Sequence, residues 1–590
     1  MVRTLISKPV CQLLLIVTLG ILGYSNTLNV PFQFDDWYNI ETNPVIKNLD
    51  YYVNPSKAKV IKSQAAYPML STRYIGSLSF ALNYKIHGLD VTGYHIVNLL
   101  IHLINSLLVY WFIHLIFISL GSGAGGENHR YLKHASTIAF FSSLLFVTHP
   151  IQSQAVTYVV QRFTSLATTF YLFSIIMYIK ARLPSNVIDR ENHRPNISTK
   201  TLVYYILAFC SAALAMATKQ IALTLPFFII LYDWYFIQNL EFGWLKKYGW
   251  LAGTLFCLLV LAATFYYLGK NPIDSLLVGY GPRDFTLIER LLTELRVVIF
   301  YISLLFLPSL TRLNLDHDFV ISQSLLVPLS TLYSLVALTL IFGSAIIMAR
   351  RQRVLSFCII WFFGNLAIES TVMPLEIIFE HRLYLPSIGF FLGLSFILVT
   401  IIERCQQPRV DKTIFLTVIL VSLVFTGITF SRNIVWNDKV TLWQDVIDKS
   451  PKKARGPKLL GWAYKEEGNA EAAILYYKKS IFLDPTDIQT HVNLASLLDS
   501  LGRKNEANQA NKEVLWLTNL KESIKKHRIS LRKTPNSAEI HNNLGIALGQ
   551  FGRTDEAIKE FRAALKLKPD SADIKYNLKI ALESKNKRYN

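Results

Sequence analysis

Residues 412–431 read KTIFLTVILVSLVFTGITFS, and residues 432–440 read RNIVWNDKV. The first run is long and apolar enough to cross a bilayer as one helix, which takes about 20 residues. The second is charged, and no long apolar run follows it. Two regimes therefore share one polypeptide and meet near residue 432. Over 590 residues the chain is 52% hydrophobic and only 17% charged, with a mean hydropathy of +0.32. That balance is too apolar for a soluble protein.

Runs of the first kind recur at residues 10–28, 93–119, 134–148, 163–181, 201–218, 220–238, 249–268, 325–349, 354–370 and 386–403, which with 412–431 make about eleven spans. A further apolar run, Leu291 to Pro308, carries Glu294 and Arg296. The basic short loops decide its place. Arg130 and Lys133, Arg182 to Lys200, Lys246-Lys247, Arg350-Arg351-Arg353 and Arg404 to Lys412 share the N-terminal side only if 291–308 does not cross. This run is expected to be an interfacial or re-entrant helix in an outer loop over 269–324, facing a first outer loop over 29–92. The N-terminus is then cytoplasmic and the charged tail lies outside.

The start, Met1-Val2-Arg3 with Lys8, lacks a small-x-small cleavage site after its apolar run, so a retained first helix is expected. The formal charge of +20 reads as basic cytoplasmic loops and contact with anionic lipid, since no nucleic-acid motif accompanies it. Cys11, Cys210, Cys257, Cys358 and Cys405 lie in or beside apolar segments, with neither a disulfide framework nor zinc spacing. They read as buried thiols. Trp37, Trp250, Trp361 and Tyr384 sit at span ends and read as belt aromatics. Asn196-Ile197-Ser198 matches a glycosylation acceptor but falls in a cytoplasmic loop.

The tail repeats itself. Gly461, Ala473 and Pro485 recur as Ala495, Ala507 and Asn519, and again as Gly545, Ala557 and Pro569. These are the small-residue and proline positions of a tetratricopeptide repeat, a pair of antiparallel helices. Residues 520–536 read as an irregular helical insertion or degenerate unit, and Asp573 to Ser584 as a polar capping helix. The fold class is thus all-α: a polytopic membrane bundle over 1–431, a connector over 432–453 and a repeat solenoid over 454–590.

The topology gathers polar groups on the outer face: Asp35-Asp36, His149-Pro150, Gln154, Arg162, Lys219-Gln220, Asp316-His317-Asp318 and Glu380-His381-Arg382. Carboxylates at a membrane boundary are costly and rarely idle. One that is partly desolvated and beside a like charge is tuned towards neutrality, as a general base needs. Arg162, Lys219, His381 and Arg382 are the basic side chains of that face. His149, Gln154, Glu380 and Arg296 are further candidates.

Plainer readings stand beside these. Asp35-Asp36 also fits a helix cap, His149-Pro150 a helix end, Arg162 a snorkelling anchor and Lys219 a tight outer turn. Glu380-His381-Arg382 fits an interfacial charge cluster. Asp316-His317-Asp318 has side chains of metal-ligand type, but three consecutive residues rarely face one ion, which favours a solvated loop.

The ordered series matters more than any phrase alone. An acidic pair follows the first span, then His149-Pro150-Ile151-Gln152-Ser153-Gln154-Ala155-Val156 with Arg162, then Ala217-Thr218-Lys219-Gln220. Phe379-Glu380-His381-Arg382-Leu383-Tyr384-Leu385-Pro386-Ser387 continues it, and Trp436-Asn437-Asp438 with Leu442-Trp443 leads into the repeats. This resembles the transmembrane-and-tetratricopeptide proteins of the GT-C glycosyltransferase superfamily, relatives of the protein O-mannosyltransferases. The likeness covers nearly the whole chain.

The resemblance implies an inverting transfer of a sugar from a polyprenyl-phosphate-linked donor to a hydroxyl of an extracytoplasmic protein or peptide, recruited by the repeats. It implies one carboxylate of the first outer loop as base, Asp35 by its match to the first acid of the family pair, with Asp36 orienting it or an acceptor and the two roles open to exchange. It gives the outer-face groups Arg162, Lys219, His381 and Arg382 to the leaving phosphate. No cofactor is called for, and a divalent metal stays open. Gln154 and Gln220 stand where the family often carries Glu, so no carboxylate role passes to them. The compact loops look more like a prokaryotic member, which places the chain in a plasma (inner) membrane with its repeats outside; a eukaryotic member would sit in the endoplasmic reticulum. Competing readings are a non-catalytic membrane-anchored scaffold and a transporter. The first leaves the outer acids and bases unexplained. The second expects polar groups at mid-depth and an inverted repeat.

Overall fold

The computed structural model describes residues 8–54, 57, 67–122, 129–183, 198–281 and 283–589. Met1-Val2-Arg3 and Asn196-Ile197 lie outside the described residues. Among the described residues the secondary structure is helical, without strands.

The chain divides into two compact units, Met1–Leu442 and Trp443–Asn590, so the boundary falls inside the expected connector. The first unit contains α1 (Pro9–Tyr24), α2 (Tyr74–His87), α3 (Val91–Ser122), α4 (Ala135–Thr148), α5 (Arg162–Arg182), α6 (Thr199–Met216), α7 (Leu225–Tyr232), α8 (Phe242–Leu268), α9 (Leu287–Phe306), α10 (Ser330–Met348), α11 (Arg353–Leu366), α12 (Ser387–Cys405) and α13 (Pro408–Ile434). Among the described residues seven helical stretches are long and apolar enough to cross a membrane, and α1, α4 and α11 are shorter apolar helices. Each of the eleven expected spans falls on a helix; 220–238 is a composite of a 3-10 turn, α7 and a π turn.

Helix α4 is the hub. Twelve of its fourteen residues are buried, and it packs against α1, α3, α12 and α13. A helix that is apolar all round has to sit in the middle of a bundle. Close approach of α11 and α12 depends on Gly389, where a Cβ would stand 2.8 Å from the Cys358 carbonyl oxygen and 2.8 Å from the Trp361 ring.

Three expectations about side chains change here. Trp361 and Tyr384 are core residues, not belt residues: Trp361 Nε1 donates to the Leu385 carbonyl at 3.0 Å, and the Tyr384 hydroxyl lies 2.8 Å from His102 Nδ1. Trp250 is 68% exposed, as a belt residue should be. Of the cysteines only Cys358 is buried; Cys210, Cys257 and Cys405 lie on exposed faces, because a helix end or outer stripe in an apolar segment need not face the core. Asp316 and His317 are buried, 5% and 8% exposed, not solvated, because the Glu380 carboxylate draws His317 in.

The run expected at 291–308 is the amphipathic helix α9, and it is not among the candidate spans. A reciprocal capping box opens it. Thr286 Oγ1 accepts from the Glu289 N–H at 3.3 Å, and Glu289 Oε2 accepts from the Thr286 N–H at 2.8 Å. Arg290, Thr293, Glu294, Val297 and Tyr301 share its buried face.

That face holds an irregular segment, 367–379. Arg290 donates to the carbonyls of Glu369 (2.7 Å), Thr371 (3.0 Å), Leu375 (2.6 Å) and Glu376 (3.0 Å). Non-helical backbone beside a membrane needs such internal partners.

The second unit pairs α14 (Arg455–Glu466) with α15 (Ala470–Leu483), α16 (Ile488–Ser500) with α17 (Lys504–Lys533), and α18 (Ala538–Gln550) with α19 (Thr554–Leu567), before α20 (Ala572–Tyr589). Each pair turns at a glycine of positive φ, Gly468, Gly502 and Gly552, a backbone that glycine adopts without steric cost. Residues 520–536 are mostly no separate unit. Asn519 stands where Pro485 and Pro569 end the corresponding helices, so α17 runs on for 30 residues against 14 in α15 and α19, up to Pro535.

We expect Gly389→Ala to destabilise the protein by about 1–3 kcal/mol, the usual cost of overpacking. Gly427→Ala, where nothing lies within 4 Å, should be neutral or stabilising by up to about 1 kcal/mol. Thermal unfolding in detergent measures both. Equal midpoints would contradict the close packing of α11 on α12.

Candidate functional site

The acidic pair sits in a turn fastened at several points. His95 Nε2 meets the Val30 carbonyl at 2.8 Å, and Gln33 Nε2 donates to the Trp436 carbonyl at 3.2 Å. Phe34 has φ +46°, a strained value for a bulky side chain that persists only where the surroundings enforce it. Asp36 is the fastener. Its Oδ2 accepts from the Gln33 N–H at 3.0 Å, and its Oδ1 from the Val160 N–H at 2.7 Å. The turn is thereby tied to the 3-10 turn Val159–Gln161 that opens α5.

Asp35 is half-buried. Its backbone N–H donates to the Tyr158 hydroxyl at 2.8 Å, and the Tyr158 ring packs 5.6 Å from Trp436. The two acids thus have different surroundings. Burial, with the Asp35 charge adding, raises Asp36 to about 8 against the pull of its backbone donors.

Lys219 does not mark a turn in water. Its backbone is extended, φ −155° and ψ 145°, and its ammonium is buried. Nζ lies 2.9 Å from Thr164 Oγ1 and 2.8 Å from Glu369 Oε1. Burial pushes the Glu369 carboxyl up, but Lys219, Arg382 and Arg73 hold it below its ordinary value, so the pair is ionic.

Arg382 donates to the carbonyls of Ile377 at 2.9 Å and Glu376 at 2.6 Å, and lies 3.9 Å from Glu294 Oε1. Glu294 also pairs with Arg290 at 2.8 Å; burial raises it to about 7 despite Arg382 and Arg290. Arg73, just before α2, links the two halves: its guanidinium is within electrostatic reach of both Glu369 and Asp35. Its carbonyl accepts from the Ser77 N–H at 2.8 Å, while its guanidinium stacks 5.2 Å over the Phe163 ring and donates no hydrogen bond to a described residue.

A third group stands against these cations. Gln154 Nε2 donates to the Asn314 carbonyl at 3.0 Å, so its Oε1 accepts from the His381 backbone N–H at 3.3 Å and from His381 Nδ1 at 3.2 Å. Nδ1 therefore carries the proton. Burial, then Lys219, Arg382 and Arg73, hold His381 well below its usual range. It is a neutral imidazole, not one of the cations expected from the sequence. Glu380 Oε1 accepts from the Asn314 N–H at 2.6 Å and lies 3.0 Å from His317 Nε2. Among the described residues no three His, Cys, Asp or Glu side chains gather closely enough for a metal ion.

Three candidates belong to the scaffold. Arg162 is fully buried, and its guanidinium is occupied by Asn98 Oδ1 (2.6 Å), the Tyr94 carbonyl (3.0 Å) and the Ser79 carbonyl (3.3 Å). It braces α2 and α3 against α5 and is neither a phosphate ligand nor a snorkelling anchor. His149 ends α4: its Nδ1 accepts from the Ile151 N–H at 3.2 Å, and its Nε2 meets the Leu305 carbonyl at 3.1 Å. Arg296 donates to the Val320 carbonyl at 2.7 Å and stacks on Phe319.

Arg73 and Glu369 were not singled out from the sequence. An acid in Ala367-Ile368-Glu369-Ser370, at the end of a predicted span, is the signal that would have found Glu369.

The chain is similar to protein O-mannosyl-transferases along most of its length. One of Caenorhabditis elegans is 25% identical over 505 residues, 81% of this chain and 64% of that one. Tmtc3 of Drosophila melanogaster is 23% identical over 559 residues, 85% and 58%. TMTC3 of Homo sapiens is 22% identical over 591 residues, 90% and 58%. The chain spans about three-fifths of these relatives' length. All three are animal proteins, and a prokaryotic origin finds no support among them. Tetratricopeptide-repeat models match residues 459–487 and 538–571, the units on either side of the lengthened α17.

The fold keeps a proton on Asp36 that the unfolded chain gives up near its ordinary 3.8. Stability should therefore fall as pH rises from about 4 towards about 8. Asp36→Asn, neutral throughout, should flatten that slope. Unfolding midpoints at several pH values compare the two; equal slopes would contradict a protonated Asp36.

Proposed function

We propose that this protein is a membrane glycosyltransferase that moves a sugar from a polyprenyl-phosphate-linked donor to a hydroxyl of a protein on the extracytoplasmic side, with inversion. The observation that carries the reading is the division of labour at Asp35-Asp36. Asp36 is consumed by two backbone N–H groups, which leaves Asp35 as the half-buried acid coupled to Arg73. The resemblance to protein O-mannosyl-transferases supplies the reaction class, and their animal origin favours the endoplasmic reticulum membrane.

Asp35 takes the proton of the acceptor hydroxyl as that oxygen bonds to the anomeric carbon. The bond from that carbon to the phosphate oxygen breaks in line, and the electron pair leaves with the polyprenyl phosphate. The charge gained by the phosphate falls to Arg73, Lys219 and Arg382. Fixed cations in a water-poor site stabilise developing charge without reorganising. Neutral His381 is left with Nε2 as an acceptor, suited to orient a hydroxyl. The tetratricopeptide repeats, which as a class bind extended peptide, present the acceptor. A scaffold has no use for a half-buried acid held within electrostatic reach of Arg73.

Asp35→Asn should lower kcat for transfer by about 10²–10⁴-fold, the range for losing a general base, with the KM for donor changed little. The assay is transfer from a prenyl-phosphate sugar by purified full-length protein. Activity within a few-fold of the unmodified protein would overturn the assignment.

A further inference from the structure

We infer that Glu369 is the resident anion of a phosphate cradle, and that the phosphate of a prenyl-phosphate ligand takes its place on Lys219. The inference rests on the glycosyltransferase reading above and adds to it what the site does when empty.

Lys219 contacts the Glu369 carboxylate at 2.8 Å, and Arg382 and Arg73 lie within electrostatic reach of it. Each comes from a different part of the chain: the extended residue after α6, the residue before α2, and the 3-10 turn before α12. Glu369 is 8% exposed. Its own backbone is pinned, because the Arg290 guanidinium holds its carbonyl at 2.7 Å.

Three cations gathered in a poorly solvated pocket repel one another and cost more than their attraction to distant groups returns. One carboxylate among them removes most of that cost. A sugar-linked prenyl phosphate is a phosphodiester with a single negative charge, the same as Glu369. Its entry is an exchange of one anion for another, because the Glu369 carboxylate that gives up Lys219 takes up a proton from solvent, the form that its burial favours. Arg73, whose guanidinium donates no hydrogen bond to a described residue, offers the fork of donors that a phosphate accepts, while Thr164 keeps its hold on Lys219. Glu369 thus sets how tightly the donor is held and how readily the product phosphate leaves.

The test is equilibrium binding of geranyl monophosphate to the purified full-length protein, with geraniol as the uncharged control. Removing the resident anion should tighten binding: Glu369→Gln should lower Kd about tenfold. Glu369→Asp keeps the charge but shortens the reach to Lys219, so it should lower Kd by less, and geraniol should respond to neither. A merely structural glutamate would give the opposite sign, since a loosened site binds more weakly. If Glu369→Gln fails to fold, Glu369→Asp carries the comparison alone. Unchanged or weaker binding in the folded variant overturns the inference and leaves the donor reading standing. Binding by neither the variant nor the unmodified protein overturns the donor reading, and the inference with it.

Discussion

A buried carboxyl group that accepts two backbone N–H groups from distant segments governs this site. Asp36 ties Gln33 to Val160, and the strained backbone of Phe34 and the footing of Tyr158 under Asp35 both depend on that tie. Were the turn free, Asp35 would be one more mobile acid at a membrane boundary. Held, it stands at a fixed place beside Arg73. A catalytic group is useful only where its neighbours keep it within a fraction of an ångström of its task.

The rest of the site is an exercise in compensating buried charge. Glu369 answers Lys219, and Glu294 lies between Arg290 and Arg382. Arg290 and Arg382 also satisfy the carbonyls of the irregular segment between α11 and α12. One set of cations therefore keeps non-helical backbone folded and shapes the electrostatics of the pocket. Over 367–379 the segment itself carries only Glu369 and Glu376 as charges, and the arginines that hold it come from α9 and from the turn before α12. Isolated buried charges would be costly there, whereas paired ones are tolerated.

Much of the architecture was legible in the sequence because it rests on local pattern. Apolar runs mark the helices, and Gly461, Ala473, Gly545 and Ala557 mark the close packing of the repeats. Parity of the basic loops set 291–308 apart from the spans, and the helix there, α9, is amphipathic. Long-range pairing was not legible. Nothing near Arg162 in the chain says that Asn98 and the Tyr94 carbonyl enclose it, so an arginine that braces helices looked like a phosphate ligand. His381 looked like a cation because its neighbours in sequence are charged; its burial, and after that the electrostatic reach of Lys219, Arg382 and Arg73, hold it well below its usual range. Arg73 and Glu369 escaped notice for the same reason, since Glu369 meets Lys219 and Arg73, both of them more than a hundred positions away in the chain. The length of α17 turned on one residue, Asn519, where the other units have proline.

We propose that this chain glycosylates proteins on the far side of its membrane through a single acid. The most direct measurement is the intact mass of secretory proteins from otherwise identical cells with and without the chain. The account predicts sugar-sized mass increments on hydroxyl side chains that occur only when the chain is present. Identical masses under both conditions, with the chain abundant in the membrane, would contradict it.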